Sequence, residues 1–571
     1  MSADSEQSEE VEEAPVAASP DPDPSLDDSA PERSPLQRRR LLIGAFLASV
    51  LLPLAFTFFT QQVWEDYFIT FRHSRNWAQG HGLVYQPGEK IHGFTSPLNV
   101  VIPALFDRAF GVPESYLPAL WGYRIVSILA LAFGAVVFVD LLWRRGVAVP
   151  LIVFFAGAYA IQVRSVAFAI NGQEAGFVLA SLALAFSAAH DGAATAWKRA
   201  GVAWGCLLWS RPDGCVLIAI MGLIGLLHRR ASFMDELRGM LRAALVCTAV
   251  YLPWFIGTWV YYGTPVPHTI IAKVNMKIEG TDPIFFLRLW LSKTIDASSG
   301  CFEPIYGQTG WPTYIDGFVF FSGLLCVTLW LWPVQDRLVK MASLSCALVV
   351  VYLGYVSVKA MLFPWYTPPA ATLGLLALVL GVSDLASRWA VPRWRALACW
   401  VPLTVIGLYF VQLFSASAAQ LRVQQEVVEE GVRKQVGLFL SEAVKDDETV
   451  YLEALGYIGY FAGKHMLDFP GLASPSVVAA RREHGDDFYV VIQHLQPDWL
   501  VLRPKEAFQA ASRPELQKLY GHVRVFDRRK DVDESPVMGK PYLRVDATWH
   551  VFRRLSAAPE TEAPEAGGDQ G

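Results

Sequence analysis

The chain has 571 residues, of which 53% are hydrophobic and 18% are charged, and its formal net charge is −5. Ordinary soluble domains are about 25% charged, and several apolar runs here match the ~30 Å hydrocarbon layer of a bilayer. This composition excludes a soluble globular protein and predicts a polytopic α-helical membrane protein.

The N-terminal segment, residues 1–37, is expected to be a disordered acidic tail on the cytoplasmic side. It is rich in Pro, Ser and Ala, and its charges before Arg33 are all acidic. Such a composition buries too little apolar surface to fold. The tail lacks the short apolar region and cleavage site of a signal peptide, so the first apolar run is expected to remain as a helix.

Residues 38–415 are predicted to form a transmembrane domain of about eleven helices. The expected spans are 41–60, 118–142, 148–164, 174–190, 200–210, 213–228, 241–262, 316–333, 341–358, 367–385 and 395–415. Lys and Arg residues are concentrated in alternate connecting loops, as is typical of cytoplasmic loops. This distribution places the N-terminus in the cytoplasm. The two long loops, 61–117 and 263–315, are then outside.

Residues 416–556 are predicted to form an extracytoplasmic α/β domain, followed by a disordered tail at 557–571. An amphipathic helix is expected over 420–444, and strands over 449–452, 489–492 and 499–502. Apolar segments of this length between helical patches are typical of a small α/β unit. The segment around Gly456 is expected to form a strand and turn of this domain.

The first outer loop carries the residues most suggestive of chemistry. Glu65 and Asp66 directly follow the first span. An ionised carboxylate is costly to remove from water, so a pair at the mouth of a helical bundle favours a general base. Arg72 lies less than two helical turns beyond Asp66, so that a cation can border the same pocket. The pair also fits a solvated cap of a helix, and Arg72 also fits an interfacial anchor.

The segment from Glu65 to Leu98 resembles the first periplasmic loop of GT-C-fold membrane glycosyltransferases. It is most similar to the branch of mycobacterial terminal arabinofuranosyltransferases. Further similar motifs are Gly172-Gln173-Glu174, Arg211-Pro212-Asp213-Gly214, Pro267-His268-Thr269 with Ala272-Lys273, Phe363-Pro364-Trp365-Tyr366, and the tail segments 456–460 and 468–475. The resemblance therefore extends in order over nearly the whole chain.

The resemblance implies an inverting glycosyltransferase of the bacterial inner membrane. Its donor is a sugar, with arabinofuranose as the candidate, carried on a polyprenyl phosphate, and its acceptor is a glycan or lipid of the cell envelope. Asp66 is the expected base, with Glu65 as helper, metal contact or alternative base. The expected substrate-binding residues are Arg72, His92, Thr95, Glu174, Arg211, His268 and Lys273. A divalent cation is a further candidate partner, although no additional clustered ligand specifies its site.

Three positions depart from the pattern of these glycosyltransferases. Glu65 replaces an Asp, His92 replaces an acid, and His268 replaces an Asn. These changes leave the reaction class intact and leave the sugar open. Structural interpretations also remain for several residues: Glu174 as a helix cap, Arg211 with Asp213 as an ion pair, and Lys273 as a headgroup contact.

Three alternatives to this activity remain, one of which is a non-catalytic assembly factor that retains the fold. A transferase of the same fold that uses another sugar on lipid A or protein fits the same motifs. A transporter or flippase of lipid-linked sugars is a further non-enzymatic alternative, although no internal repeat is present. The sequence contains no Walker A, HExxH or GxSxG motif and no basic patch for nucleic acid;.

Overall fold

The computed structural model describes residues 34–112, 115–273, 282–300, 302–307, 309–333, 336–360, 362–388 and 392–555. The predicted tails, 1–37 and 557–571, lie almost wholly outside these described residues. The rest forms a long helical bundle that is followed by a small mixed sheet with surrounding helices.

The first part of the chain is built from helices. Their bounds are α1 (Pro35–Thr60), α2 (Glu65–Ala78), α3 (Leu98–Phe110), α4 (Leu117–Arg144), α5 (Val149–Ala160), α6 (Val163–Ile170), α7 (Ala175–Asp191), α8 (Ala193–Ser210), α9 (Gly214–Leu227), α10 (Phe233–Tyr262), α11 (His268–Ala272), α12 (Pro283–Ser299), α13 (Thr313–Thr328), α14 (Arg337–Lys359), α15 (Pro368–Arg388) and α16 (Pro392–Val423). Every predicted span therefore coincides with a helix, or with the bent pair α5 and α6.

Length and composition identify fewer certain membrane crossings than the sequence predicts. Within the described ranges, seven helices are long and apolar enough to cross a bilayer, or eight if α5 and α6, bent by 46°, form one span. Helices α7 and α9 are apolar but shorter. The count of eleven spans stays a prediction.

Small residues allow neighbouring helices of the bundle to approach closely. A Cβ atom added to Gly201 of α8 would lie 2.5 Å from the carbonyl oxygen of Ala243 on α10. One added to Gly205, one turn later, would lie 2.6 Å from the side chain of Val250. Close backbone approach at small residues is a common basis of helix association in membranes, where lipid supplies no hydrophobic drive.

The charged loop ends gather at one end of the bundle. Arg38 on α1 pairs with Asp140 on α4 at 2.5 Å, and Arg145 pairs with Asp336 at 2.5 Å. Arg337 donates a hydrogen bond to the carbonyl of His228 at 2.6 Å. These contacts join loops that the sequence assigns to a single side, so the geometry agrees with the predicted distribution of basic residues.

Beyond α16 the helix continues through a π-helical stretch, Gln424–Arg433, into α17 (Lys434–Ala443). The strands are β1 (Thr449–Leu452), β2 (His465–Asp468), β3 (Trp499–Leu502), β4 (Tyr520–Asp527) and β5 (Thr548–Arg554). The helices are α18 (Tyr457–Ala462), α19 (Pro475–His484), α20 (Phe488–Leu495), α21 (Pro504–Ala511), α22 (Pro514–Leu519), α23 (Arg529–Glu534) and α24 (Lys540–Val545). The sheet order is β2-β1-β3-β5-β4, with β1 parallel to β2 and β3, and with β5 antiparallel to β3 and β4.

Two local predictions in this region are wrong. Residues 489–492 form part of helix α20, because the carboxylate of Asp487 caps it by accepting hydrogen bonds from the amides of Tyr489 and Val490;. Their short apolar run is the buried face of a helix, and a run of that length does not distinguish a helix from a strand. Gly456 precedes helix α18 and does not belong to a strand.

The C-terminal unit packs directly on the outer loops of the bundle. Arg72 of α2 donates hydrogen bonds to the carbonyls of Gly459 at 2.8 Å and Lys464 at 3.2 Å. The Gln425 side chain accepts a hydrogen bond from the amide of Val63 at 2.9 Å. The helix that leaves the bundle and the sheet that follows it therefore enclose the segment where α2 begins.

Candidate active site

Glu65 and Asp66 form the first turn of α2. Helix α1 ends at Gln61 in a left-handed conformation, and a short irregular link leads to Trp64. The amide of Trp64 donates a hydrogen bond to the carbonyl of Asn171 at 2.8 Å, which fixes the point at which α2 begins. Acidic side chains in a first helical turn are favoured by the helix dipole.

Burial shifts the acidity of both carboxyl groups. Burial away from water raises the pKa of Glu65 well above its usual value. The charge of Arg433 and a hydrogen bond from the amide of Gly456 act in the opposite direction and lower this pKa, but by less. Burial also raises the pKa of Asp66, although the charge of Lys273 and a hydrogen bond with Glu65 lower it. Two adjacent carboxylates do not ionise together freely. Burial therefore makes both members of the pair less acidic than ordinary carboxyl groups.

A polar cleft of about 540 Å³ opens beside Asp66. It is lined by Asp66, Ile69, Thr70, Gly93, Phe94, Thr95, Ser96, Asn99, Gln173, Glu174, Arg211, Thr269, Lys273, Trp365, Tyr366 and Leu472. Five of the residues proposed from the sequence thus meet in one place: Asp66, Thr95, Glu174, Arg211 and Lys273. They come from α2, the loop that follows it, the start of α7, the break between α8 and α9, and the end of α11.

Arg211 lies where this cleft meets a second, largely apolar cavity. Its guanidinium contacts Glu174 at 2.5 Å and Asp213 at 2.8 Å, and it lies 4.0 Å from the centre of the Tyr366 ring. Both cavities share Arg211 as a lining residue. The ion pair that the sequence allowed and the cavity contact are therefore both present.

Lys273 provides a second cation at the cleft. It lowers the pKa of Asp66, which places its charge within electrostatic reach of that carboxylate. Arg481, nearly fully buried, donates a hydrogen bond to the carbonyl of Ala272 at 2.8 Å and so holds the residue before Lys273. The C-terminal unit thus helps to position this lysine.

The structure does not bring the other three proposed binding side chains to the cleft. The guanidinium of Arg72 is committed to the carbonyls of Gly459 and Lys464, and it covers the Tyr85 ring at 4.4 Å. The His92 ring stacks on Tyr262 at 4.6 Å. Neither Arg72 nor His92 is among the residues that line the cleft, so their roles as substrate ligands stay predictions.

His268 contributes through its backbone. Its amide donates a hydrogen bond to the carbonyl of His92 at 2.9 Å, which joins the loop of Thr95 to helix α11. Gly93 follows His92 and Thr269 follows His268, and both of these neighbours line the cleft. Burial lowers the pKa of His92 to about 4 and lowers that of His268, so both imidazoles are neutral near pH 7.

Several residues of the site were missed by the sequence reasoning. Asn99 donates a hydrogen bond to Glu174 at 2.9 Å, and its side-chain oxygen accepts one from Tyr123. It follows the recognised motif by one residue, and a single amide side chain in the apolar run 98–106 is the sequence signal that could have found it;. Gly456 lies too far along the chain for spacing alone to connect it with Glu65.

The described residues provide little support for a metal ion. Across the described ranges, no group of three or more His, Cys, Asp or Glu side chains is arranged to hold one. Glu65, Asp66 and Glu174 are the nearest acids, and their charges are opposed by Arg433, Lys273 and Arg211. A divalent cation therefore stays a prediction.

Comparison with solved structures identifies the architecture. The crystal structure of ArnT from Cupriavidus metallidurans in the apo state matches 92% of this chain and 99% of ArnT, with a TM-score of 0.50 and 13% sequence identity. The chain has a GT-C fold. This confirms the predicted fold class, a helical membrane domain with a small C-terminal sheet.

Other comparisons add weaker similarities to the GT-C match. ArnT bound to undecaprenyl phosphate matches 92% of this chain and 99% of its own, with a TM-score of 0.48 and 13% identity. The arabinofuranosyltransferase AftD from Mycobacteria matches 91% of this chain and 40% of its own, with a TM-score of 0.44 and 15% identity. A family model described as a domain of unknown function, DUF8728, matches residues 419–552. Among curated proteins, none matches the sequence.

Proposed function

We propose that this protein is a membrane glycosyltransferase that moves a sugar from a polyprenyl phosphate to a glycan or lipid of the cell envelope. The observation that carries the proposal is the half-buried carboxylate pair, Glu65 and Asp66, at a cleft that also contains Lys273 and Arg211. A base beside cations is what transfer from a phosphate leaving group requires.

In the proposed reaction, a hydroxyl oxygen of the acceptor attacks the anomeric carbon of the donor sugar. The bond from that carbon to the lipid phosphate breaks, and the configuration inverts. The hydroxyl proton passes to Asp66, while the phosphate keeps the bonding electron pair. Lys273 and Arg211 stabilise the charge that develops on the phosphate.

The apolar cavity beside Arg211 suits the lipid chain of the donor. Its apolar lining includes Val178, Leu207, Leu217 and Leu353. These side chains come from α7, α8, α9 and α14, so the cavity lies between helices of the bundle. ArnT has been crystallised with undecaprenyl phosphate bound, and we extend that class of lipid to this chain.

The proposed location is the bacterial inner membrane, with the site on the extracytoplasmic side. The carboxylate pair follows the end of α1, whereas Arg38 and the basic loop cluster lie at its start. Because basic loops tend to face the cytoplasm, the cleft and the C-terminal unit then face outward. Arabinofuranose remains the candidate sugar from the resemblance to arabinofuranosyltransferases.

The test is sugar transfer by the purified protein in proteoliposomes. Radiolabelled decaprenyl- and undecaprenyl-phosphate sugars are offered with a crude envelope acceptor, and labelled product is separated from donor. Incorporation into the acceptor supports the proposal, and the active donor names the sugar. Movement of intact lipid-linked sugar across the bilayer, with no product, would overturn it in favour of transport.

Lys273→Met is expected to lower kcat/KM for transfer by roughly 10- to 100-fold. The loss corresponds to about 1.5–3 kcal/mol for one charged hydrogen bond to the phosphate. Lys273→Arg keeps the charge and is expected to retain most of the activity. Lys90→Met, a lysine over the Tyr261 ring and away from the cleft, is the control. Equal losses in the two Met variants would contradict a specific role for Lys273.

The pH below which transfer activity is lost is expected to be higher than the pKa of an ordinary aspartate. Asp66 must be ionised to accept a proton, and burial raises its pKa. Transfer is therefore retained above this pKa and lost as the pH falls through it. A profile of kcat/KM against pH checks this, and activity that persists down to about pH 3.9, the usual aspartate pKa, would exclude Asp66 as the base.

A further inference from the structure

A third cleft lies on the other side of Trp365 from the polar one. It encloses about 1070 Å³ of space and is open to solvent. Residues that form its walls include Trp64, Arg164, Asp296, Tyr306, Trp365 and Tyr542. Trp64 directly precedes Glu65, and Trp365 also lines the polar cleft beside Asp66. The third cleft therefore ends next to the carboxylate pair.

One wall of this cleft is aromatic. The Tyr306 ring stacks on Tyr542 at 3.8 Å with an interplanar angle of 7°, and on Trp64 at 5.6 Å with an angle of 21°. Phe363 stacks on Trp365 at 4.3 Å with an angle of 6°. Apart from the buried Trp64, these rings are half-exposed, so part of their surface is available to a ligand.

The opposite wall is charged but nearly balanced. Arg164, whose side chain is 3% exposed, contacts Glu303 at 2.9 Å. Lys293 contacts Asp296 at 3.1 Å, and the Asp296 side chain is 61% exposed. Two cations and two anions pair with each other, so this wall favours neither a phosphate nor a cationic ligand. Each guanidinium nitrogen of Arg164 already donates hydrogen bonds within the protein. The exposed Lys293 and Asp296 are therefore the groups on this wall that suit neutral hydroxyls;.

We propose that this cleft binds a neutral oligosaccharide, the non-reducing end of a glycan acceptor. Sugar rings present C–H groups on their faces and hydroxyls on their edges. The faces pack on aromatic rings, and the hydroxyls bond to the carboxylate of Asp296 and the ammonium group of Lys293;. A chain bound along Tyr542 and Tyr306 directs its end past Trp365 to Asp66. The inference rests on the proposed function, and it identifies the acceptor as a polysaccharide chain bound on the side opposite the donor lipid.

Direct binding to the purified full-length protein tests this inference. Saturation-transfer NMR is recorded with two probes, an α-linked arabinofuranose hexasaccharide and maltohexaose. Wild-type protein is expected to bind at least one, and Tyr542→Ala is expected to weaken that binding about tenfold, the equivalent of roughly 1.4 kcal/mol. Tyr542→Phe keeps the ring and is expected to bind as wild type does. Trp332→Ala removes an exposed ring at the opposite end of the bundle and serves as the control.

Kinetics separate this inference from the proposed function. In Tyr542→Ala and in Asp296→Asn, the KM for acceptor is expected to rise while the KM for donor stays the same. Asp296 is exposed at the margin of the cleft, so this second variant keeps the test valid if Tyr542→Ala does not fold. If the wild-type protein binds a probe but transfers no sugar, the proposed glycosyltransferase activity is wrong, whereas the proposed binding of a glycan in this cleft is retained. The proposal that this cleft binds the acceptor is wrong if both variants transfer sugar with an unchanged KM for acceptor, or if the wild-type protein binds neither probe.

Discussion

Asp66→Asn is expected to lower sugar transfer by about 10²- to 10⁴-fold, the usual contribution of a positioned general base. Glu65→Gln is expected to lower it by less than about tenfold, or roughly 1.4 kcal/mol. The difference follows from the proposed role of Asp66 as the base, with Glu65 as its neighbour. A glutamine amide can still accept the hydrogen bond from Gly456 and donate one to Asp66. Initial rates in proteoliposomes, with labelled donor at saturation, measure both.

Thermal unfolding distinguishes loss of chemistry from loss of folding. The pKa of Asp66 in the folded protein is raised above its unfolded value, so the ionised carboxylate opposes folding at neutral pH;. Removing that charge in Asp66→Asn is therefore expected to leave Tm unchanged or to raise it. An inactive Glu65→Gln beside an active Asp66→Asn would reverse the assignment of the base and leave the reaction class intact.

The sequence predicts the membrane domain well because each span is a local signal. An apolar run of sufficient length must form a helix in a bilayer, where backbone groups find no water. The cleft was predictable in part for a different reason. Asp66, Thr95, Glu174, Arg211 and Lys273 belong to separate short motifs that resemble those of glycosyltransferases, and each motif carries its own polar residue into the cleft.

The contacts that the sequence does not predict join distant parts of the chain. Arg72 has the charge and spacing for a phosphate ligand, but its partners are carbonyls of the C-terminal unit, nearly 390 residues away. Periodicity within α2 contains no information about such a partner. The strand predicted over 489–492 is wrong for a related reason, since this short buried apolar run becomes helical through its cap at Asp487.

Gly456 is the clearest case of a distant residue that completes the site. Its amide donates a short hydrogen bond to Oε1 of Glu65 across 391 residues of sequence. A Cβ atom added at this position would lie 2.7 Å from that same Oε1 and would overlap the carbonyl oxygen of Glu65. The close approach of the two segments therefore requires glycine, and the C-terminal unit sets the position of the carboxylate pair.

Gly456→Ala is expected to lower transfer by about 100-fold, because a displacement of about 1 Å at reacting groups has effects of that size. It is also expected to lower the free energy of unfolding by about 1–3 kcal/mol through overpacking. Gly317→Ala on α13 is the matched control, since an added Cβ there meets no atom within 4 Å. Transfer rates and thermal unfolding of both variants are measured in parallel.

A double-mutant cycle shows whether Gly456 acts through Glu65. If the methyl group disturbs transfer by moving the Glu65 carboxyl, then Glu65→Ala and Gly456→Ala together should cost less than the sum of their separate losses. Additive losses would mean that Gly456 affects the site by another route, such as the packing of α18. Full activity in a folded Gly456→Ala protein would show that the C-terminal unit is not required to position the base.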